Sequence, residues 1–159
     1  MDIRQVLRRR RDGALLLDFP LWFRLALGAI SVAMAALMIA DGSVYALPVI
    51  FAIISAVGAL YTQEWVFDPN SERVRSRHGL LFLARTREYP ASEIEAVVLE
   101  RFTRTMGVRT EYVRLKLRIK DGTEVVVDVQ KLRGSSLVGH AASIGAAVHA
   151  PVVEERSGF

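Results

Sequence analysis

Seven arginines stand in two sets that could hold an anion. Arg8, Arg9, Arg10 and Arg11 are consecutive, whereas Arg73, Arg75 and Arg77 alternate. Alternation along a strand puts three guanidinium groups on one face, and each can grip a phosphate through paired N–H donors. The chemistry on offer is recognition of anionic lipid headgroups or of nucleic acid. Arginines on strand surfaces are common, so for the second set the solvated-face reading outweighs the headgroup reading. Other chemistry finds no motif. There is no Gly-rich phosphate loop, nucleophile elbow, His-Glu-x-x-His pair or acidic cation loop. His78 falls in an expected turn, and His140 and His149 are nine apart on an expected helix, so they do not share a face. Ser135 and Ser136 have no visible base partner and read as helix caps. Glu93 and Glu95 read as loop polarity. There is no cysteine, which removes thiol nucleophiles, disulfides and thiolate metal sites. No catalytic, cofactor-binding or metal-ligating residue is expected, no cofactor is implied, and the expectation is a protein that is not an enzyme.

The chain that must position these groups has 159 residues, with 52% hydrophobic and 24% charged. The two fractions coexist because they are segregated. Residues 25–40 and 44–62 carry no charge, and Phe19, Pro20, Leu21, Trp22 and Phe23 extend the first run. Each run is long enough to cross a ~30 Å hydrocarbon core as a helix of about 20 residues. Arg24 can snorkel to the headgroups. Trp22, Phe23, Tyr61 and Trp65 read as interfacial anchors. Asp41-Gly42 is turn chemistry and Ser43 an N-cap. Residues 21–62 therefore read as a transmembrane helical hairpin. Two buried helices of a soluble bundle would show a polar face, which these lack. A cleaved signal peptide fits poorly, because the run is long and a second one follows.

Arg4 and Arg8 to Arg11 precede the hairpin, and its loop has no Lys or Arg. The positive-inside rule then puts both termini in the cytoplasm, with Arg8–Arg11 against anionic headgroups. A twin-arginine export signal is a weaker reading, since the apolar core does not follow the pair closely. A small-residue seam runs along the first helix (Ala26, Ala29, Ala33, Ala36, Ala40), and another along the second (Ala52, Ser55, Ala56, Ala59). Small residues let helices approach closely in lipid. Pairing of the two seams within the hairpin is the simpler expectation; docking of one seam onto a partner membrane protein is the sharper one. Neither helix has a mid-span ionisable group, which argues against an ion or proton path.

From residue 63 the character changes. Residues 63–159 hold 15 Lys+Arg against 13 Asp+Glu, a mixed surface that predicts no nucleic-acid partner. Alternating patterns predict strands at 63–67, 73–77, 80–89, 94–103, 111–119 and 123–130, with turns at Asp68-Pro69-Asn70 and His78-Gly79 and a loop around Met106-Gly107. A three-residue loop, Lys120-Asp121-Gly122, would pair Leu117 with Val125, Arg118 with Glu124 and Arg114 with Asp128. That register neutralises two charges of the stripe Arg114, Lys116, Arg118 and Lys120, which favours an ordinary solvated face. Leu137, Ala141, Ile144 and Val148 predict a helix after Gly134-Ser135-Ser136, and Pro151 ends it. Residues 151–159 read as a tail. Residues 13–19 read as one more strand, within a basic N-terminal segment 1–20.

Seven strands in two sheets with one C-terminal helix is the pleckstrin-homology (PH) plan. The chain resembles bacterial membrane proteins in which a two-helix hairpin runs into a small PH-like domain at 63–150. The likeness lies in Glu64-Trp65-Val66-Phe67-Asp68, Arg73-Val74, Gly79-Leu80, Tyr89-Pro90-Ala91-Ser92-Glu93-Ile94 and Leu117-Arg118-Ile119-Lys120-Asp121-Gly122. More distantly it is similar to hairpin-plus-PH assembly factors of photosynthetic complexes and ATP synthase. The resemblance implies an antiparallel β-barrel or sandwich and a scaffold role, and it transfers no site residue. The expectation is an accessory or assembly subunit of a membrane complex, with an anionic-lipid-binding module as the alternative. The preference for Arg over Lys and the alanine content point to a GC-rich bacterium and its inner membrane.

Overall fold

The computed structural model describes residues 5–42, 45–106 and 108–156. Arg4, the expected Ser43 cap, Val44 of the expected second span, Gly107 of the expected loop around Met106-Gly107 and tail residues 157–159 lie outside the described residues. The elements, in order, are β1 (Val6–Arg9), β2 (Leu15–Asp18), α1 (Leu21–Asp41), α2 (Ala46–Leu60), β3 (Tyr61–Asp68), β4 (Arg73–Leu80), β5 (Arg85–Pro90), β6 (Ile94–Met106), β7 (Val108–Ile119), β8 (Glu124–Lys131), α3 (Leu137–Val148) and β9 (Val152–Arg156). They build a five-stranded sheet ordered β1-β2-β3-β4-β5 and a four-stranded sheet ordered β8-β7-β6-β9. The helical pair is thus an insertion between β2 and β3. The chain divides into two compact units.

The first unit holds Gln5 and Val6, Asp18–Glu64 and Arg77–Thr86. Its helices run antiparallel: the Ser31 hydroxyl donates to the Ala52 carbonyl at 3.0 Å, and Arg24 Nε donates to the Ala59 carbonyl at 3.2 Å. The second bond satisfies a carbonyl that the end of α2 would leave unpaired. Among the described residues one helix, Leu21–Asp41, is long and apolar enough to cross a membrane. It measures about 31 Å at 1.5 Å per residue. The second differs from the expectation of a span over 44–62. It has 15 residues, or about 22 Å, short of a ~30 Å core. Pro48 sits within its first turn, and β-favouring Tyr61 and Thr62 begin β3 with no linker.

The second unit holds Leu7–Leu17, Trp65–Ser76 and the chain from Arg87 onward. Leu17, Trp65, Phe67 and Val74 of one sheet share a core with Val97, Leu99, Val113, Leu115, Leu117 and Val127 of the other. This is the packing of a β-sandwich. The α3 stripe Leu137, Ala141, Ile144 and Val148 closes it, each residue at most 4% exposed. Side-chain volume explains that stripe, since each large apolar residue buried stabilises by about 1.5–3 kcal/mol.

Several elements differ from their sequence reading. The expected strand 13–19 is the second arm of a hairpin that already begins at Val6. Trp65 is no interfacial anchor; it is 4% exposed and stacks on Phe67. The expected turn at His78-Gly79 lies inside β4, and the chain reverses at Leu81-Phe82-Leu83. Gly79 has φ +133°, and a Cβ there would lie 3.0 Å from the Ala84 Cα. Glycine serves close approach of the hairpin arms rather than the turn. Residues 152–156 of the expected tail form β9, parallel to β6 and in register from Val97↔Val152 to Arg101↔Arg156.

The β7–β8 register follows the three-residue loop for its first three pairs, Arg118↔Glu124, Leu117↔Val125 and Lys116↔Val126. Gly122 takes φ +85°, the left-handed residue such a loop requires. A bulge between Leu115 and Lys116 then shifts the ladder, so Arg114 faces Val129 instead of Asp128. One extra residue on β8 causes this, and period-2 counting has no way to register it.

Candidate functional site

The two arginine sets meet different fates. Arg73 and Arg75 both pair with Glu88 of β5, at 3.2 and 2.7 Å. Glu88 thus already pairs with two of the three guanidinium groups, whose side chains stay 65% and 59% exposed. Arg77 is exposed and donates to the Leu81 carbonyl at 3.4 Å. Within the alternating set, Arg73 and Arg75 share one carboxylate and Arg77 stands apart from it. Arg8 and Arg9 lie on β1, and Arg10 and Arg11 open its turn, all four exposed. The turn is closed by Arg10 N–H to the Ala14 carbonyl at 2.8 Å. Arg8–Arg11 thus belong to a folded hairpin.

The helix seams also separate. Ala52, Ala56 and Ala59 are half-buried and Ser55 is 7% exposed, so the α2 seam faces α1. On α1 the contacting residues are Arg24, Leu27, Gly28 and Ser31. A Cβ on Gly28 would lie 3.9 Å from Ala59 Cβ, and one on Gly58 would overlap Leu27. Ala26, Ala29, Ala33, Ala36 and Ala40 are all exposed. A helix turns about 100° per residue, which puts these alanines on the face opposite Arg24, Gly28 and Ser31. The expectation that the alanine seam of the first helix packs inside the hairpin is corrected: Gly28 and Ser31 take that place.

The outer face of the four-stranded sheet is an ion-pair lattice. Lys116 Nζ lies 2.7 Å from Glu100 and 2.8 Å from Glu124. Arg118 reaches Glu124 at 2.9 Å and Glu155 at 2.7 Å. Arg114 lies 3.4 Å from Glu100 and 4.6 Å above the Phe102 ring, which stacks on Tyr112. Burial disfavours the Lys116 ammonium, yet its bonds to Glu100 and Glu124 outweigh that and raise its pKa. Lys116 and Arg118 hold the Glu124 carboxyl below the usual carboxylate range. Three acids thus answer three bases of the stripe, leaving little net field for a polyanion.

The remaining candidates have structural positions. His78 is an exposed strand residue, and His149 is the left-handed C-cap of α3. His140 is half-buried, and burial pushes its pKa down against the Asp128 charge. Ser135 Oγ accepts from the Leu137 N–H at 3.1 Å, and Gln130 Oε1 accepts from the Ser136 N–H at 3.2 Å, so together they cap α3. Glu93 ends a 3-10 turn, Ala91–Glu93, whose last carbonyl accepts from Lys120 N–H. Among the described residues no three of His, Cys, Asp and Glu converge as metal ligands. Sequence reasoning missed the apolar hairpin tip, where Phe82 is 85% and Leu83 76% exposed. Its signal is an uninterrupted Leu80-Leu81-Phe82-Leu83 between Gly79 and Arg85, which turn rules do not select.

No protein-family model matches the chain, and no curated protein matches it.

Proposed function

We propose that this is a two-pass membrane protein carrying a PH-like β-domain, and that it works without catalysis as an accessory or assembly subunit of a membrane complex. The observation that carries this reading is the outward face of α1. Its alanine stripe, flanked by exposed Leu25, Val32 and Leu37, is not consumed by pairing with α2. A small-residue stripe on a membrane helix suits close packing by another helix. In this reading α2 crosses too, its short length met by local bilayer thinning with Tyr45 and Tyr61 at the two interfaces. The termini are cytoplasmic, and the membrane is a bacterial inner membrane. Topology is tested by single cysteines at Asp41 and Gly122 in the cysteine-free chain. A membrane-impermeant thiol reagent applied to intact cells or spheroplasts should label position 41 and spare 122. The opposite pattern, or labelling of both, sinks the orientation.

A second reading, binding of anionic lipid, draws on Arg8–Arg11, which are exposed. Charge reversal at all four should weaken binding of the full-length protein to anionic nanodiscs over neutral ones. Unchanged preference would discard it.

A further inference from the structure

We propose that the β4–β5 turn, Leu81-Phe82-Leu83, is a second membrane contact, lying in the lipid interface beside the end of α2 with Arg77 and Arg85 next to anionic headgroups. The inference rests on the two-pass reading and deepens it. Three apolar residues at one turn are exposed by 39%, 85% and 76%. Turn tips in water favour Gly, Asn, Asp and Ser, and the chain obeys this elsewhere: Asp12-Gly13, Asn70-Ser71 and Asp121-Gly122 all lie in turns. Among these described turns, Leu81-Phe82-Leu83 departs from the rule.

That turn is adjacent to the helix ends. Leu81 N–H donates to the carbonyl of Leu60, the last residue of α2, at 2.9 Å. Ala59, one residue earlier, accepts from Arg24 in the first turn of α1. The turn, the end of α2 and the start of α1 with its exposed Trp22 therefore occupy one level of this unit. If α1 and α2 cross a bilayer, that level is a membrane surface. The turn is also held in shape. Leu83 N–H donates to the Leu80 carbonyl at 2.7 Å, and Arg77 donates to the Leu81 carbonyl. Gly79 allows the tight approach to Ala84. A fixed tip of Leu, Phe and Leu flanked by exposed arginines matches interfacial insertion, with the apolar part below the headgroups and the charges among them.

The chain has no cysteine, so single labels are clean. Full-length Phe82→Cys, Leu37→Cys and Lys120→Cys carry an environment-sensitive fluorophore in nanodiscs containing lipids brominated at shallow or deep chain positions. Position 37 reports the membrane reading and position 120 is the aqueous control. The proposal expects quenching at 82 at least about twofold that at 120, stronger for shallow than for deep bromines. It also expects this quenching to fall when anionic lipid is replaced by neutral lipid. Quenching at 37 with 82 behaving like 120 overturns the proposal, leaves the two-pass reading standing and indicates a protein cover for the tip. No quenching at 37 overturns the membrane reading, and the turn proposal with it. Shallow quenching at 82 that ignores lipid charge overturns the role of Arg77 and Arg85.

Discussion

At the scale of single residues, several of the strand bases are answered by acids from neighbouring strands. Glu88 takes Arg73 and Arg75, and Glu100 and Glu124 take Lys116. Spacing in the sequence showed the bases but not which acids fold over them. The Arg118–Glu124 pair was legible because a tight loop fixes the nearest register, whereas Arg114–Glu100 arises across β6. Lys116 should matter most, since its side chain is 11% exposed and Glu100 beside it 15%. Lys116→Met leaves Glu100 with Arg114 alone, and chemical denaturation should report a loss of about 1–3 kcal/mol. Two acid-sensitive windows follow from the shifted groups. The His140 pKa is lowered below 6.5, so as pH drops past that value the unfolded chain binds the proton first and stability falls. The Glu124 pKa is lowered below 4.5; its contribution is present above that value and is lost as pH falls through the folded pKa. Melting curves across pH should show both slopes. His140→Gln should flatten the upper one and Glu124→Gln the lower.

At the scale of elements, backbone geometry explains what the sequence hid. The α3 stripe and the β7–β8 loop were readable from apolar periodicity and from Asp121-Gly122. The β8 bulge, β9 and the Leu81–Leu83 reversal were not, because each depends on a distant partner or breaks a local rule. Strand β9 needs the edge of β6, and the partly exposed ion pairs Arg101–Glu154 and Arg118–Glu155 lie along it. It also needs Gly145: a Cβ there would lie 2.8 Å from Val152 Cγ2 and 2.9 Å from the Ala150 carbonyl. Gly145→Ala should therefore push β9 off the sheet edge and cost about 1–3 kcal/mol, despite the better helix propensity of alanine. Faster amide exchange in β9 than in β7 would check this. Gly79→Ala meets backbone rather than a movable side chain, at a φ that L-residues rarely adopt. It should cost about 1–3 kcal/mol and loosen the β4–β5 hairpin selectively. A variant with wild-type melting would refute the close-approach role.

At the scale of the whole molecule, the hydropathy split in the sequence corresponds to a helical insertion in a β-meander. One helix long and apolar enough to cross a membrane, Leu21–Asp41, was legible from composition. Its inner and outer faces were not, since alanine and glycine spacings alone do not say which small residues meet the partner helix. The structure assigns Gly28 and Ser31 to the hairpin and leaves the α1 alanines outside. Substitutions should separate accordingly. Gly28→Leu should disrupt the helical pair and lower yield from membranes. Ala29→Leu with Ala33→Leu should leave the fold intact and abolish association with a partner helix. The most direct measurement is the intact mass of the assembly purified in gentle detergent from native membranes, using the tagged full-length protein and this double variant. The native chain should yield a defined hetero-complex, and the variant should lose its other members. A lone monomer or homo-oligomer from the native chain would contradict the accessory-subunit reading.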